Sequence, residues 1–324
     1  MEGDHNLNHH SEMIRQIIDT VENVVVGKRE AVTLTITALL AGGHVLIEDV
    51  PGVGKTMLVR AIARATGLDF KRIQFTPDLL PSDVTGVSIY NQHTKEFEFR
   101  PGPVMSNILL ADEVNRTSPK TQSALLEALE EGNVTVDGCT YQLFDPFFVM
   151  ATQNPIEHGG TYPLPEAQLD RFLFRIQLGY PEWHEEIDML DRMEHGHPVD
   201  QLTPVVEVED IQRMKMEVKE VFVSDAVKQY IVAIVRETRN LDRVELGVSP
   251  RGSIALMRAA QAYAYIQGSS YVRPDDVKRV APYTLGHRLV LEADVLGPKG
   301  QDDKMIQRML TRISVPSTRK DIVT

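Results

Sequence analysis

The chain has 324 residues, enough for about two domains, and carries a formal net charge of −12 on an ordinary globular composition. That charge argues against broad non-specific nucleic-acid binding, which needs a basic footprint. A single cysteine, Cys139, excludes an internal disulfide and a cysteine-rich metal site, and no apolar run approaches bilayer-spanning length.

The opening residues, MEGDHNLNHHSEM, lack the basic start and apolar core of a signal peptide, so a cytoplasmic location is expected. His5, His9 and His10 are read as a frayed polar tail rather than a metal site. Helical spacing begins at residue 11, with Met13, Ile14, Ile17, Ile18 and Val21 on one side, and a second helix is expected from Arg29 to Leu40. The apolar run His44-Val45-Leu46-Ile47 then reads as a strand. It leads into EDVPGVGKT, Glu48 to Thr56, and a helix that stops at Gly67. Such a strand, glycine loop and helix turn backbone N–H groups and a favourable dipole toward an anion. Gly52 and Gly54 let the backbone curl around phosphate, Lys55 is placed for the terminal phosphates, and the Thr56 hydroxyl suits Mg²⁺. The binding segment is therefore Pro51, Gly52, Val53, Gly54, Lys55, Thr56 and Met57. The usual pattern has glycine at position 49, where this chain has Asp49. An ordinary glycine turn is the alternative for this segment taken alone.

A strand is expected from Phe70 to Phe75. Val87 to Arg100 alternates at period two around Asn91–Thr94 and reads as a hairpin. Ile108 to Ala111 has the unbroken apolar character of a buried parallel strand, and it ends in Asp112-Glu113. Beside a glycine loop, Asp112 would support a Mg²⁺ shell and Glu113 would polarise an attacking water. A polar strand end at the surface is the plain alternative. Ser118-Pro119 starts a helix with Leu125, Leu126 and Leu129 on its apolar face, and Gly132 ends it. Asn133 to Leu143 forms a second hairpin around Asp137-Gly138. The strand Phe147–Ala151 runs into Thr152-Gln153-Asn154-Pro155, where Asn154 either holds the lytic water or the γ-phosphate, or belongs to a simple turn.

Arg171 stands at the edge of a last strand, Phe172 to Ile176. It suits charge stabilisation on a transferring phosphoryl group, including one on a neighbouring subunit, or it forms a surface salt bridge with Asp170. Strands alternating with helices indicate an α/β fold with a parallel sheet covered on both faces. After Tyr180-Pro181 the strands stop, and helical patterns follow at 182–194, 208–218, 224–238, 251–267 and 274–285. Residues 1–180 are thus expected to form a nucleotide-binding α/β domain and 181–324 a helical lid. Arg251, in Ser249-Pro250-Arg251-Gly252, opens a lid helix. It either reaches bound nucleotide or is a solvated charge that the helix dipole slightly disfavours.

In order, these segments resemble the AAA+ ATPases, and within them the MoxR family. EDVPGVGKT, LLADEVNRTSPKTQSALLEALEEGNVTVDG, MATQNPIEHGGTYPLPEAQLDRF and GVSPRG are similar to family signatures, and with their connections they span Val26 to His287. Asp49 is in keeping with that family. The resemblance implies a P-loop sheet with two inserted hairpins and a smaller all-α lid, with ATP and Mg²⁺ as cofactors. It implies Lys55 and Thr56 as the Walker A pair, Asp112 and Glu113 as the Walker B pair, and Asn154 as sensor 1. Arg171 becomes the arginine finger and Arg251 sensor 2, and Val26-Gly27 would line the adenine pocket. Gln74 is a candidate to position Glu113, and Arg116 and Arg175 are candidates to act across a subunit boundary.

The function implied is that of an ATP-hydrolysing, chaperone-like motor. It would work as a homo-oligomeric ring, usually of six subunits, with both hairpins facing the pore. Its target would be another protein, with von Willebrand A domain partners the kind the resemblance suggests. A nucleic-acid motor is disfavoured, since residues 133–143 contain no Lys or Arg and Lys95 and Arg100 are balanced by Glu96 and Glu98. A nucleotide-gated scaffold with little turnover is disfavoured because Glu113 is present.

Overall fold

The structure, a computed structural model, describes residues 2–154, 161–194, 198–292 and 301–315, with side chains from His9 onward. Two helices, α1 (Glu2–Glu22) and α2 (Arg29–Ala41), precede strand β1 (Val45–Glu48), and α3 (Lys55–Thr66) and β2 (Phe70–Gln74) follow. A short helix α4 (Pro81–Thr85) leads into the hairpin β3 (Gly86–Asn91) and β4 (Glu96–Pro101). Then come β5 (Ile108–Asp112), α5 (Pro119–Glu131), the hairpin β6 (Asn133–Val136) and β7 (Cys139–Gln142), and β8 (Phe148–Gln153). A single turn, α6 (Glu166–Leu169), precedes β9 (Phe174–Ile176). The remainder is α7 (Trp183–Met193), α8 (Val208–Glu220), α9 (Asp225–Glu237), β10 (Val244–Leu246), α10 (Pro250–Ile266), α11 (Pro274–Leu285), β11 (Val290–Leu291) and α12 (Gln301–Leu310).

The central sheet has the order β2-β5-β8-β1-β9 with every pairing parallel. Its strands alternate their side chains between two cores, as a pleated strand must. Leu46, Leu109, Ala111, Val149 and Ala151 join Leu125, Leu126 and Leu129 of α5 on one face. Val45, Ile47, Ile108, Leu110, Phe148 and Met150 point the other way, into a larger core with α1, α2 and α3. Helix α5 begins where Ser118 caps it and Pro119 takes the first position, and it stops where Gly132 turns left-handed.

Both expected hairpins are present. Asp137 and Gly138 have φ of 51° and 80°, the two positive values that a type I′ turn requires. The first hairpin closes with Asn91 opposite Glu96, and its Phe99 stacks on Tyr141 of the second at 4.0 Å. That ring pair joins the two hairpins on one side of the molecule.

Two expectations need amendment. The N-terminal segment is not a frayed tail, because α1 starts at Glu2 and His10 is buried. The Nδ1 of His10 lies 2.8 Å from Glu217, whose carboxylate also accepts from the Tyr265 hydroxyl at 2.6 Å. Strands do not end at residue 180, since β10 and β11 form a short antiparallel pair among the later helices. Buried packing runs across the change of pattern near residue 180. Ile14, Ile17 and Leu39 share one continuous buried core with Met214, Ile231, Leu256 and Val280. The N-terminal helices therefore seat the later helices against the sheet.

Candidate functional site

Parallel strands deliver their C-terminal ends to one edge of the sheet, so the register decides which polar groups meet there. Ile47 and Glu48 lie beside Thr152 and Gln153, and Gln74 lies beside Asp112. The glycine loop, the Asp-Glu pair and the Thr-Gln-Asn run are thus gathered at one edge, as their strand positions predict.

Between β1 and α3 the loop uses left-handed backbone at Gly52 and Gly54, with φ of 87° and 91°. A Cβ built on either meets nothing within 4 Å, so these two glycines face open space rather than packing. Gly54 caps α3 without a side-chain acceptor, leaving that role to an incoming anion. The Nζ of Lys55 donates to the Asp49 carbonyl at 2.8 Å. Burial lowers its pKa, opposed by the nearby charges of Asp112, Asp49 and Glu113.

Asp49 has a structural job that glycine could not do. Its Oδ2 accepts from the backbone N–H groups of Leu178 at 2.8 Å and Gly179 at 2.7 Å, and Oδ1 accepts from Val50 at 2.9 Å. The carboxylate ties the start of the loop to the segment after β9. Lys28 donates to the next carbonyl, that of Tyr180, at 2.9 Å. This chain of contacts brings Val26-Gly27 to the same side of the molecule as the loop. Gly27, at φ 71°, packs against Glu185 of α7. Asp49→Ala should lower stability by about 2–4 kcal/mol, because the buried N–H of Leu178 and the half-buried N–H of Gly179 lose a charged acceptor. Thermal unfolding measures this, and an unchanged midpoint would remove the bracing role.

Thr152, missed in the sequence, holds both acids. Its hydroxyl donates to Asp112 Oδ1 at 2.6 Å and accepts from the Glu113 N–H at 2.9 Å. The signal available was its place as the first polar residue of a buried strand. Arg72, on the edge strand β2, donates to Asp112 Oδ2 at 2.7 Å and to Gln74 at 3.0 Å. Gln74 in turn donates to Glu113 Oε2 at 2.6 Å, and Arg116 donates to the same oxygen at 2.9 Å. Glu113 itself has φ of 57°, a left-handed backbone that a non-glycine residue adopts at some cost. Arg116 is thus engaged with Glu113 of its own chain. Asn154 is buried next to these groups, and its carbonyl accepts from Asn115 at 3.4 Å. Pro155 and the five residues after it lie outside the described residues.

The arginines fall elsewhere. Arg171 and Arg251 line a cavity of about 420 Å³ whose other walls include Gly43, His44, Leu129 and Glu130. His44 precedes β1 and the glycine loop follows it, so the two sites lie at opposite ends of that strand, roughly 13 Å of extended chain apart. Arg251 therefore does not reach the loop of its own chain, contrary to one reading of its place in the lid. Arg171 does not pair with Asp170 either. It pairs with Glu130 at 2.8 Å, while Asp170 accepts from the buried Arg288 at 2.6 Å. His44 is fully buried, accepts from the Val149 N–H at 3.1 Å and contacts the Leu129 carbonyl at 3.2 Å. Burial pushes its pKa down to about 4, so it is neutral at pH 7. Arg175 is buried against Asp302, Asp303 and Glu48. Burial opposes its charge, the three carboxylates outweigh that, and its pKa is raised. Within the chain it joins β1 and β9 to α12.

The chain is similar to known proteins over most of its length. A family described as "ATPase family associated with various cellular activities (AAA)" matches residues 44–174, and an AAA lid domain family matches residues 236–309. The chain is 58% identical over 310 residues to the uncharacterized protein YeaC of Bacillus subtilis, covering 96% of this chain and 97% of that one. It is 43% identical to Chaperone MoxR1 of Mycobacterium tuberculosis, covering 94% and 82%. The crystal structure of a candidate ATPase from Cytophaga hutchinsonii superposes with a TM-score of 0.89 at 39% identity, covering 98% of each chain.

Proposed function

The chain belongs to the MoxR family of AAA+ ATPases, and from that premise we propose that it couples ATP hydrolysis, in a ring of its own copies, to the remodelling of a protein partner. One observation carries this reading. Lys55, Thr56, Asp112 and Glu113 share one edge of the sheet, whereas Arg171 and Arg251 stand at the other. A head-to-tail neighbour would bring the arginines of one subunit to the ATP of the next, so the complete site belongs to a pair of subunits. Arg251 then acts on the neighbour's nucleotide together with Arg171.

The residues fit the cofactors. Gly52 and Gly54 leave the loop open for phosphates, and Lys55, which here donates to the Asp49 carbonyl, would supply its charge to them. Thr56 and Asp112 would hold Mg²⁺, which neutralises charge on the phosphate oxygens when bound. Glu113 takes the proton of the attacking water, with Gln74 and Arg116 setting its position and Asn154 beside it. Residues 1–180 supply this site, and 181–324 act as the lid.

A protein partner is favoured over nucleic acid by the first hairpin. Its Tyr90 and Phe97 rings contact each other at 5.4 Å, and Phe97 is 74% exposed. Exposed apolar rings without a surrounding basic groove suit a polypeptide. The name of the mycobacterial relative as a chaperone supports the same view. A von Willebrand A domain is the partner type proposed, six subunits the ring size, and the cytoplasm the location. Among the described residues, no helix is long and apolar enough to cross a membrane.

The test is ATP hydrolysis measured against protein concentration, with mass by light scattering at each point. Specific activity should rise as the subunits assemble. Activity that stays flat down to the monomer would overturn the shared site.

A further inference from the structure

We infer that Glu130 is a positioning residue whose carboxylate holds Arg171 and Arg251 together as one anion-binding pair. This rests on the reading that both arginines meet the ATP of a neighbouring subunit.

Glu130 lies in the last turn of α5. Its Oε2 accepts from Arg171 Nε at 2.9 Å and is 2.8 Å from Nη2, so two nitrogens of one guanidinium share that oxygen. Its Oε1 is 3.4 Å from Arg251 Nη2. Two like charges are thus brought side by side across one carboxylate, which offsets their repulsion. Each arginine meets a different oxygen of the one carboxylate, and a phosphoryl group likewise offers more than one oxygen to two cations.

The surrounding structure leaves the direction of Arg171 to Glu130. Arg288, with its side chain 5% exposed, donates to the carbonyls of Asp170 at 3.0 Å and Phe172 at 2.9 Å. The backbone on both sides of Arg171 is therefore clamped. The Arg171 side chain is then steered by Glu130 and by one carbonyl contact, to Ala167 at 3.2 Å. Arg251 is less enclosed still, with its side chain 67% exposed. An arginine already held in place loses less rotamer freedom when it meets an anion. The hold is also easily exchanged, since an exposed ion pair is weak and a phosphate carries more charge than a carboxylate.

The experiment compares Glu130→Ala and the isosteric Glu130→Gln with the wild type, each with and without Arg251→Ala. It reads kcat, KM for ATP, assembly by light scattering and thermal unfolding. Glu130→Ala should lower kcat by about 10- to 100-fold, the scale of a misplaced catalytic group, with KM and assembly retained. Glu130→Gln, which keeps one acceptor oxygen, should fall between. On the Arg251→Ala background the loss should shrink, because coupled residues are not additive. An equal loss on both backgrounds, or one explained by a lower unfolding temperature, would make Glu130 merely structural and overturn the inference. If Arg171→Ala and Arg251→Ala lose turnover but Glu130→Ala does not, the inference fails and the shared site stands. If neither arginine variant loses turnover, the shared site itself fails.

Discussion

Glu113→Gln is expected to lower ATP turnover by about 10²–10⁴-fold while ATP still binds. The substitution keeps the shape of the side chain and removes the base. Glu113 is well placed for that role. Its backbone N–H is fixed by Thr152, its Oε2 accepts from Gln74 and Arg116, and Lys55 lies within range of its charge. Removing a negative charge close to the phosphates should leave ATP affinity unchanged or tighter. Single-turnover hydrolysis and equilibrium binding separate the two effects. Turnover within about tenfold of wild type would dismiss Glu113 as the general base.

Arg171→Ala should cost still more, about 10³–10⁵-fold in kcat if the residue neutralises charge on the transferring phosphoryl group. The sharper result comes from mixing. Each of Arg171→Ala and Glu113→Gln should show little turnover alone. In a mixed assembly some interfaces pair an intact Glu113 with an intact Arg171 from the other variant, and activity returns there. If Arg171 acted within its own chain, no subunit in the mixture would hold both residues and nothing would return. The 2.8 Å pair with Glu130, at the far edge of the sheet from Glu113, is the geometry behind this expectation.

Much of the fold was legible in the chain. The sheet strands, both hairpins and five of the later helices stand where period and turn residues place them, because each signal lies within about a dozen neighbouring residues. Asp137-Gly138 specifies its turn alone, and Gly52 and Gly54 specify the loop's open backbone, since only local backbone chemistry is involved. Elements with weak local signals were missed. The single turn at Glu166–Leu169 has no apolar face to repeat, and β10 and β11 are too short to show a period.

The sequence by itself therefore determined the family, the nucleotide loop and the paired acids, because their chemistry is written in contiguous residues on strands that end together. Only the tertiary structure decided how those residues are held and where the arginines act. Asp49 meets Gly179 across 130 positions, Arg288 meets Asp170 across 118, and Arg171 meets Glu130 across 41. No local periodicity records such pairings. They follow from strand order, register and the seating of the later helices on α1 and α2, which also place Arg251 beside Arg171 rather than beside Lys55.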